Sequence, residues 1–112
     1  MAEHDDSATL QSFWEAVNMT AGELSRWLST DESKEVGQKN DGESESTGHQ
    51  SGRHIVEMLE RKDDKYTTGD YAQMRRVVSY VHRHLAEKPS GDVSGTRWRY
   101  SLMNWGHDPL KN

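Results

Sequence analysis

A chain of 112 residues is the size of one small domain, with room for a single modest core. Apolar residues make up 31% and charged residues 29%, so part of the chain has too little to bury, and four Trp, four Tyr and five Met must supply much of the packed area. The absence of Cys excludes disulfides, thiolate catalysis and Cys-based zinc or iron–sulfur sites.

No apolar run approaches the roughly 20 residues of a membrane span. The opening MAEHDDSATL lacks the basic and then apolar regions of a signal peptide, and a cytoplasmic protein without membrane attachment is expected. The net charge of −5 is unevenly spread: residues 1–46 hold three basic and eleven acidic residues, net −8, and residues 47–112 hold eleven basic and eight acidic, net +3. Such asymmetry permits a basic binding surface on an acidic protein.

Residues 1–7 read as a disordered acidic tail and 8–112 as one helical domain. Ala8, Leu10, Phe13, Trp14 and Val17 follow a helical stripe, so a first helix is expected to run to about Val17. In Met19-Thr20-Ala21-Gly22-Glu23-Leu24, Thr20 and Glu23 have the spacing of a capping box, and Met19 and Leu24 that of a hydrophobic staple. A second helix therefore begins at Ala21 and buries Leu24, Trp27 and Leu28. Residues 31–50, DESKEVGQKNDGESESTGHQ, are acidic and Gly/Ser-rich, and predict a flexible loop.

A third helix opens with Ser51, or with Thr47 and Gln50 as an earlier box, and turns Ile55, Val56, Met58 and Leu59 inward. Glu57 and Arg61 have the spacing of a surface pair. The main helix is expected over 67–87: Tyr71, Met74, Val78, Val81 and Leu85 recur at steps of three and four, Thr67 and Asp70 form a shortened capping box, and Pro89 and Gly91 close it. Arg75, Arg76, Ser79, His82 and Arg83 fall largely away from that stripe. In the last segment, 96–105, Trp98, Leu102 and Trp105 predict a short helix ended by Gly106, with an Asp-initiated turn at Asp108. The fold class is all-α, a small bundle of four to five short helices.

The segments VNMTAGELSRWL, GHQSGRHIVEML, YAQMRRVVSYVHRHLA and RYSLMNWGHDPLK resemble a bacterial and fungal family catalogued as a domain of unknown function, number thirty-one forty. The resemblance covers most of residues 13–111. Members often carry the label of DNA-binding protein, and relatives occur near a small Tudor-like hypervirulence-associated domain, so the resemblance implies DNA association and a stress-related setting but no catalytic residue. The extended acidic loop GQKNDGESESTGHQ departs from the family pattern.

His82 and His84 lie about 200° apart on a helix and cannot grip one ion together, and Tyr80 and His84 are spaced to stack. No metal site and no cofactor is expected. Ser79 with His82 or His84, and Ser101 with His107, are neighbours without a Gly-x-Ser-x-Gly turn, and there is no Walker or Rossmann glycine pattern, so no enzyme is expected. Trp98-Arg99-Tyr100 and Trp105-Gly106-His107 interleave rings with cations, a pattern that serves base stacking or, more commonly, core anchoring. The leading expectation is a non-catalytic, nucleic-acid-associated or regulatory protein contacting phosphate through Arg53, Arg75, Arg76, Arg83, Arg97 and Arg99. The rival is a protein–protein interaction module in a stress-related setting that binds no nucleic acid.

Overall fold

The computed structural model describes residues 6–36, 47–61 and 65–111, and among these it contains six helices and no strand. They are α1 (Asp6–Ala16), α2 (Ala21–Leu28), α3 (Asp31–Val36), α4 (Thr47–Glu60), α5 (Thr68–Leu85) and α6 (Arg97–Asn104). Three of them open on a threonine whose extended backbone and hydroxyl accept the first free amides. Thr20 Oγ1 accepts from the Glu23 amide at 3.1 Å while Glu23 Oε1 accepts from the Thr20 amide at 2.8 Å. Thr67 and Asp70 repeat the reciprocal pair at 3.0 Å in both directions, and Thr96 accepts from the Arg99 amide at 3.2 Å. Each such cap is worth about 1 kcal/mol, which fixes where the helix starts more than how well it packs.

Packing comes from the apolar stripes. α1 lies along α5, α2 against α4, and α3 against α6, while α6 also touches α2, α4 and α5. Phe13, Leu24, Ile55, Met58, Met74, Val77, Val81 and Leu102 lose essentially all solvent contact where these faces meet. Burying side chains of this size stabilises by about 1.5–3 kcal/mol each, so the shared core outweighs the caps. Trp98 and Trp105 are buried with Leu102 between them, which makes α6 the anchor expected from its spacing.

Several details differ from the sequence reading. The stretch 31–50 is helical at both ends, as α3 and as the first turn of α4; residues 37–46, like the 1–5 part of the expected tail, lie outside the described residues. α3 has no apolar stripe because its inward residue is Ser33, fully buried. α4 starts at Thr47, the earlier of the two openings, and Ser51 is buried within it rather than capping it. Trp14 is 46% exposed, since Phe13 and Val17 already fill the α1 side of the core. Arg61, spaced to meet Glu57, turns instead to Asp70.

The chain after α6 folds back over the α1–α2 turn. Gly106 adopts φ 82°, the left-handed conformation that a helix-ending glycine supplies, and its carbonyl accepts from the Asn18 and Met19 amides at 3.1 and 3.2 Å. Asn18 and Asp108 exchange two further bonds at 2.8 and 3.0 Å, and His107 Nδ1 donates to the Ala16 carbonyl at 2.7 Å.

Candidate functional site

The six arginines do not meet in one place. Arg99 is committed to structure: its guanidinium grips Asp108 with two bonds of 3.1 Å and donates to the Ser94 carbonyl at 2.9 Å. Burial alone would push the Asp108 carboxyl up, but Arg99 and the Leu110 amide outweigh it and hold it low. Arg53 lies on α4 at an open cleft of about 470 Å³ shared with Leu28, Ser29, Lys34 and His49, which α5 does not line. Arg97 is exposed at the start of α6.

Arg75, Arg76 and Arg83 share α5. Helix geometry sets Arg76 and Arg83, seven residues apart, within about 20° of one direction and roughly 10 Å along the axis, with Arg75 rotated about 100° towards α1. Arg76 and Arg83 are exposed with Ser79 between them, and Arg76 is steadied by a 2.9 Å bond to Gln73 Oε1. The only carboxylate on α5 is Asp70, buried at its first turn and already bonded. Among the described residues, no carboxylate pairs with Arg75, Arg76, Arg83 or Arg97.

Asp70 itself is the centre of a charged knot that the sequence reading took only as a cap. His54 Nε2 donates to its Oδ1 at 2.8 Å and Arg61 Nη1 to its Oδ2 at 2.5 Å, while the Arg61 guanidinium lies 5.4 Å from the Tyr66 ring centre. Burial raises the carboxyl, but the Thr67 amide, His54 and Arg61 outweigh it and bring it down to about 2. A carboxylate whose folded value is depressed adds stability above its unfolded value near 3.8, and that stability is lost as pH falls towards about 2. The expected contribution is about 2 kcal/mol. Acid titration of the melting temperature should show this loss in the native chain and a flatter profile in Asp70→Asn; parallel profiles between about pH 4 and pH 2 would refute it.

A histidine oriented by a carboxylate is also half of a nucleophile–base–orienter arrangement. Among the described residues no Ser, Thr or Tyr hydroxyl bonds the other ring nitrogen of His54. Ser79 and Ser101 bond no histidine among the described residues either, and no three His, Asp or Glu side chains there converge as a metal site would need.

The aromatic residues of the C-terminal segment are used by one another. Trp105, Tyr80, His84 and Trp98 form one column, with successive ring centres 4.3, 5.0 and 6.2 Å apart and planes within 18° of parallel. Trp98 Nε1 closes the column by donating to the His84 carbonyl at 2.7 Å. Burial lowers the His84 imidazole and raises the Tyr80 phenol. Tyr100 lies against Trp27 at 5.2 Å. These faces are therefore occupied, and the core-anchoring reading of Trp98 and Trp105 accounts for them without base stacking.

Next to this column, Asn104 is buried to 1% and joins three helices. Its Oδ1 accepts from Trp27 Nε1 at 2.8 Å and from Ser33 Oγ at 2.5 Å, and its Nδ2 donates to the Ser33 carbonyl at 3.0 Å. Neither this hub nor the Asp70 knot has a local signal, because the partners are 9 to 77 residues apart. Among the described residues no helix is long and apolar enough to cross a membrane.

No curated protein and no solved structure matches the chain. A family model described as "Protein of unknown function (DUF3140)" matches residues 12–103, a span from α1 into α6 that takes in the Asp70 knot, the arginines of α5 and most of the aromatic column. The protein belongs to the DUF3140 family.

Proposed function

We propose that the protein is a non-catalytic, nucleic-acid-associated protein that meets the phosphate backbone with the outer ridge of α5. Arg76 and Arg83 form the ridge, Arg75 lies at its edge, and Arg97 and Arg53 are auxiliary cations on other elements. The supporting observation is that α5 presents several cations and has a single carboxylate, which is buried and engaged elsewhere. An uncompensated ridge keeps its field for a ligand instead of spending it within the fold. Arg99 leaves the contact set because Asp108 and Ser94 hold all of its reach.

Fluorescence anisotropy with a labelled duplex tests this directly. Three phosphate contacts predict a log–log salt slope of about −2.7, so affinity falls roughly 40-fold between about 50 and 200 mM salt. Arg76→Gln with Arg83→Gln, both exposed, should reduce the slope by about two. The proposal fails if the duplex shows no binding at low salt up to high micromolar protein, or if the double variant keeps the parent slope.

The exposure of Trp14 favours a second reading, a protein-interaction module that docks the outer face of α1. Binding of that kind would change little with salt and would be lost in Trp14→Ser.

A further inference from the structure

The notch between α1 and α5 presents a problem that neither packing nor the nucleic-acid reading resolves. It measures about 280 Å³ and is lined by Ala8, Thr9, Ser12, Arg75, Val78 and Ser79. Arg75 lines it, and its Nη1 is buried without a hydrogen-bond partner among the described residues. A buried guanidinium nitrogen lacking an acceptor is costly, and native structures keep few of them. Among the described residues the Thr9, Ser12 and Ser79 hydroxyls make no hydrogen bond and no carboxylate lines the notch. One cation and three hydroxyl donors therefore line an open notch that offers them no protein acceptor among the described residues.

We propose that this notch is a binding site for a phosphate monoester. The donor set decides between anions. A carboxylate offers two oxygens in one plane and a phosphodiester two free oxygens, whereas a monoester offers three, in the tetrahedral arrangement that donors from two helices can surround. The Arg75 guanidinium supplies the charge-assisted bond, and Thr9, Ser12 and Ser79 reach the remaining oxygens. The volume lies just under the ~300–1,000 Å³ of small-molecule sites, so there is room beside the phosphoryl head for a small substituent against Ala8 and Val78. The notch shares Arg75 and Ser79 with the edge of the α5 ridge, but phosphate binding there does not require that the protein bind nucleic acid.

Backbone-amide NMR of the full chain tests the proposal, with inorganic phosphate, glycerol 3-phosphate and dimethyl phosphate titrated separately at ionic strength matched by chloride. Phosphate should move the amides of Thr9, Ser12, Arg75 and Ser79, and saturation should raise the melting temperature by roughly 4 °C or more. Tighter binding of glycerol 3-phosphate supports a small organic phosphate as ligand, and equal binding supports free phosphate. Arg75→Gln should abolish the response. Ser79→Ala, at an exposed position that leaves the fold intact, should weaken it about 3- to 10-fold, and Arg26→Gln, remote on α2, should leave it unchanged. The proposal is overturned if about 20 mM phosphate moves none of these amides, if dimethyl phosphate binds as well as phosphate, or if Ser79→Ala has no effect.

Discussion

Asn104→Ala is expected to destabilise the fold by about 4 kcal/mol, enough to lower the melting temperature by roughly 15–25 °C. The side chain is fully enclosed and uses both ends of its amide: two donors, Trp27 Nε1 and Ser33 Oγ, converge on Oδ1, and the Ser33 carbonyl takes Nδ2. Removing it orphans three groups at once, two of them on a serine that has no solvent contact, and each orphan costs about 1–3 kcal/mol. Trp27 is half-buried, so water recovers part of its loss, which keeps the total below the sum of three full penalties. Trp27→Phe gives the scale, because it removes one donor and leaves Oδ1 its bond to Ser33; about 1 kcal/mol is expected. Urea unfolding of both variants decides the matter. A shift of the midpoint at unchanged slope is the predicted result, and a cost below about 1.5 kcal/mol for Asn104→Ala would show that α3 is not held through this residue.

That dependence explains what could be read from the sequence. Caps and stripes are local: Thr20 with Glu23, Thr67 with Asp70, and the steps through Met74, Val81 and Leu85 need only a few residues to declare themselves, and each is found where its spacing puts it. α3 escaped because its one inward residue is polar. A hydropathy pattern cannot distinguish Ser33 from its acidic neighbours, although Thr30 at the cap, accepting from the Ser33 amide at 3.1 Å, with Asp31 and Glu32 in the first turn, was a usable signal. Trp14 was misplaced for the opposite reason. It fits the stripe, but a helix of this length buries only part of a wide stripe, and Phe13 took the place.

The same distinction governs the candidate site. The middle of the segment SLMNWGHDPLK, the most distinctive in the sequence, is accounted for as architecture: Asn104 ties three helices, Trp105 ends the ring column, Gly106 turns the chain, His107 bonds α1 and Asp108 holds Arg99. Distinctiveness there reflects closure of the fold. The cations of α5 have no such architectural employment apart from the bond between Arg76 and Gln73, and that leaves them as the surface on which function is sought. Charge counts along the sequence could identify the basic half but could not separate Arg99, neutralised nine residues away, from Arg83, which is exposed.

Gly52→Ala should cost about 2–3 kcal/mol although alanine is the better helix former by about 1 kcal/mol. A β-carbon at Gly52 would meet Leu28 Cδ2 at 2.6 Å and the backbone oxygen of Asn104 at 2.7 Å. The leucine can change rotamer, but the carbonyl belongs to α6 and moves only if α4 and α6 separate, which would strain the Asn104 hub as well; overpacking of this kind exceeds the gain in helix propensity. Gly48, one turn earlier on the same face, supplies the internal control. Its added carbon finds Asn104 Nδ2 at 3.4 Å and Trp105 Nε1 at 3.5 Å, ordinary contact distances, so Gly48→Ala should be neutral or stabilising by up to about 1 kcal/mol. The two substitutions share chemistry, helix and propensity, and differ only in what the new methyl group meets. Thermal melts that place Gly52→Ala well below the parent and Gly48→Ala level with it or above would establish that α4 approaches α6 to within a distance only glycine allows. Equal stabilities would mean that the helices sit further apart than described, and with them the geometry of the Asn104 hub would have to be abandoned.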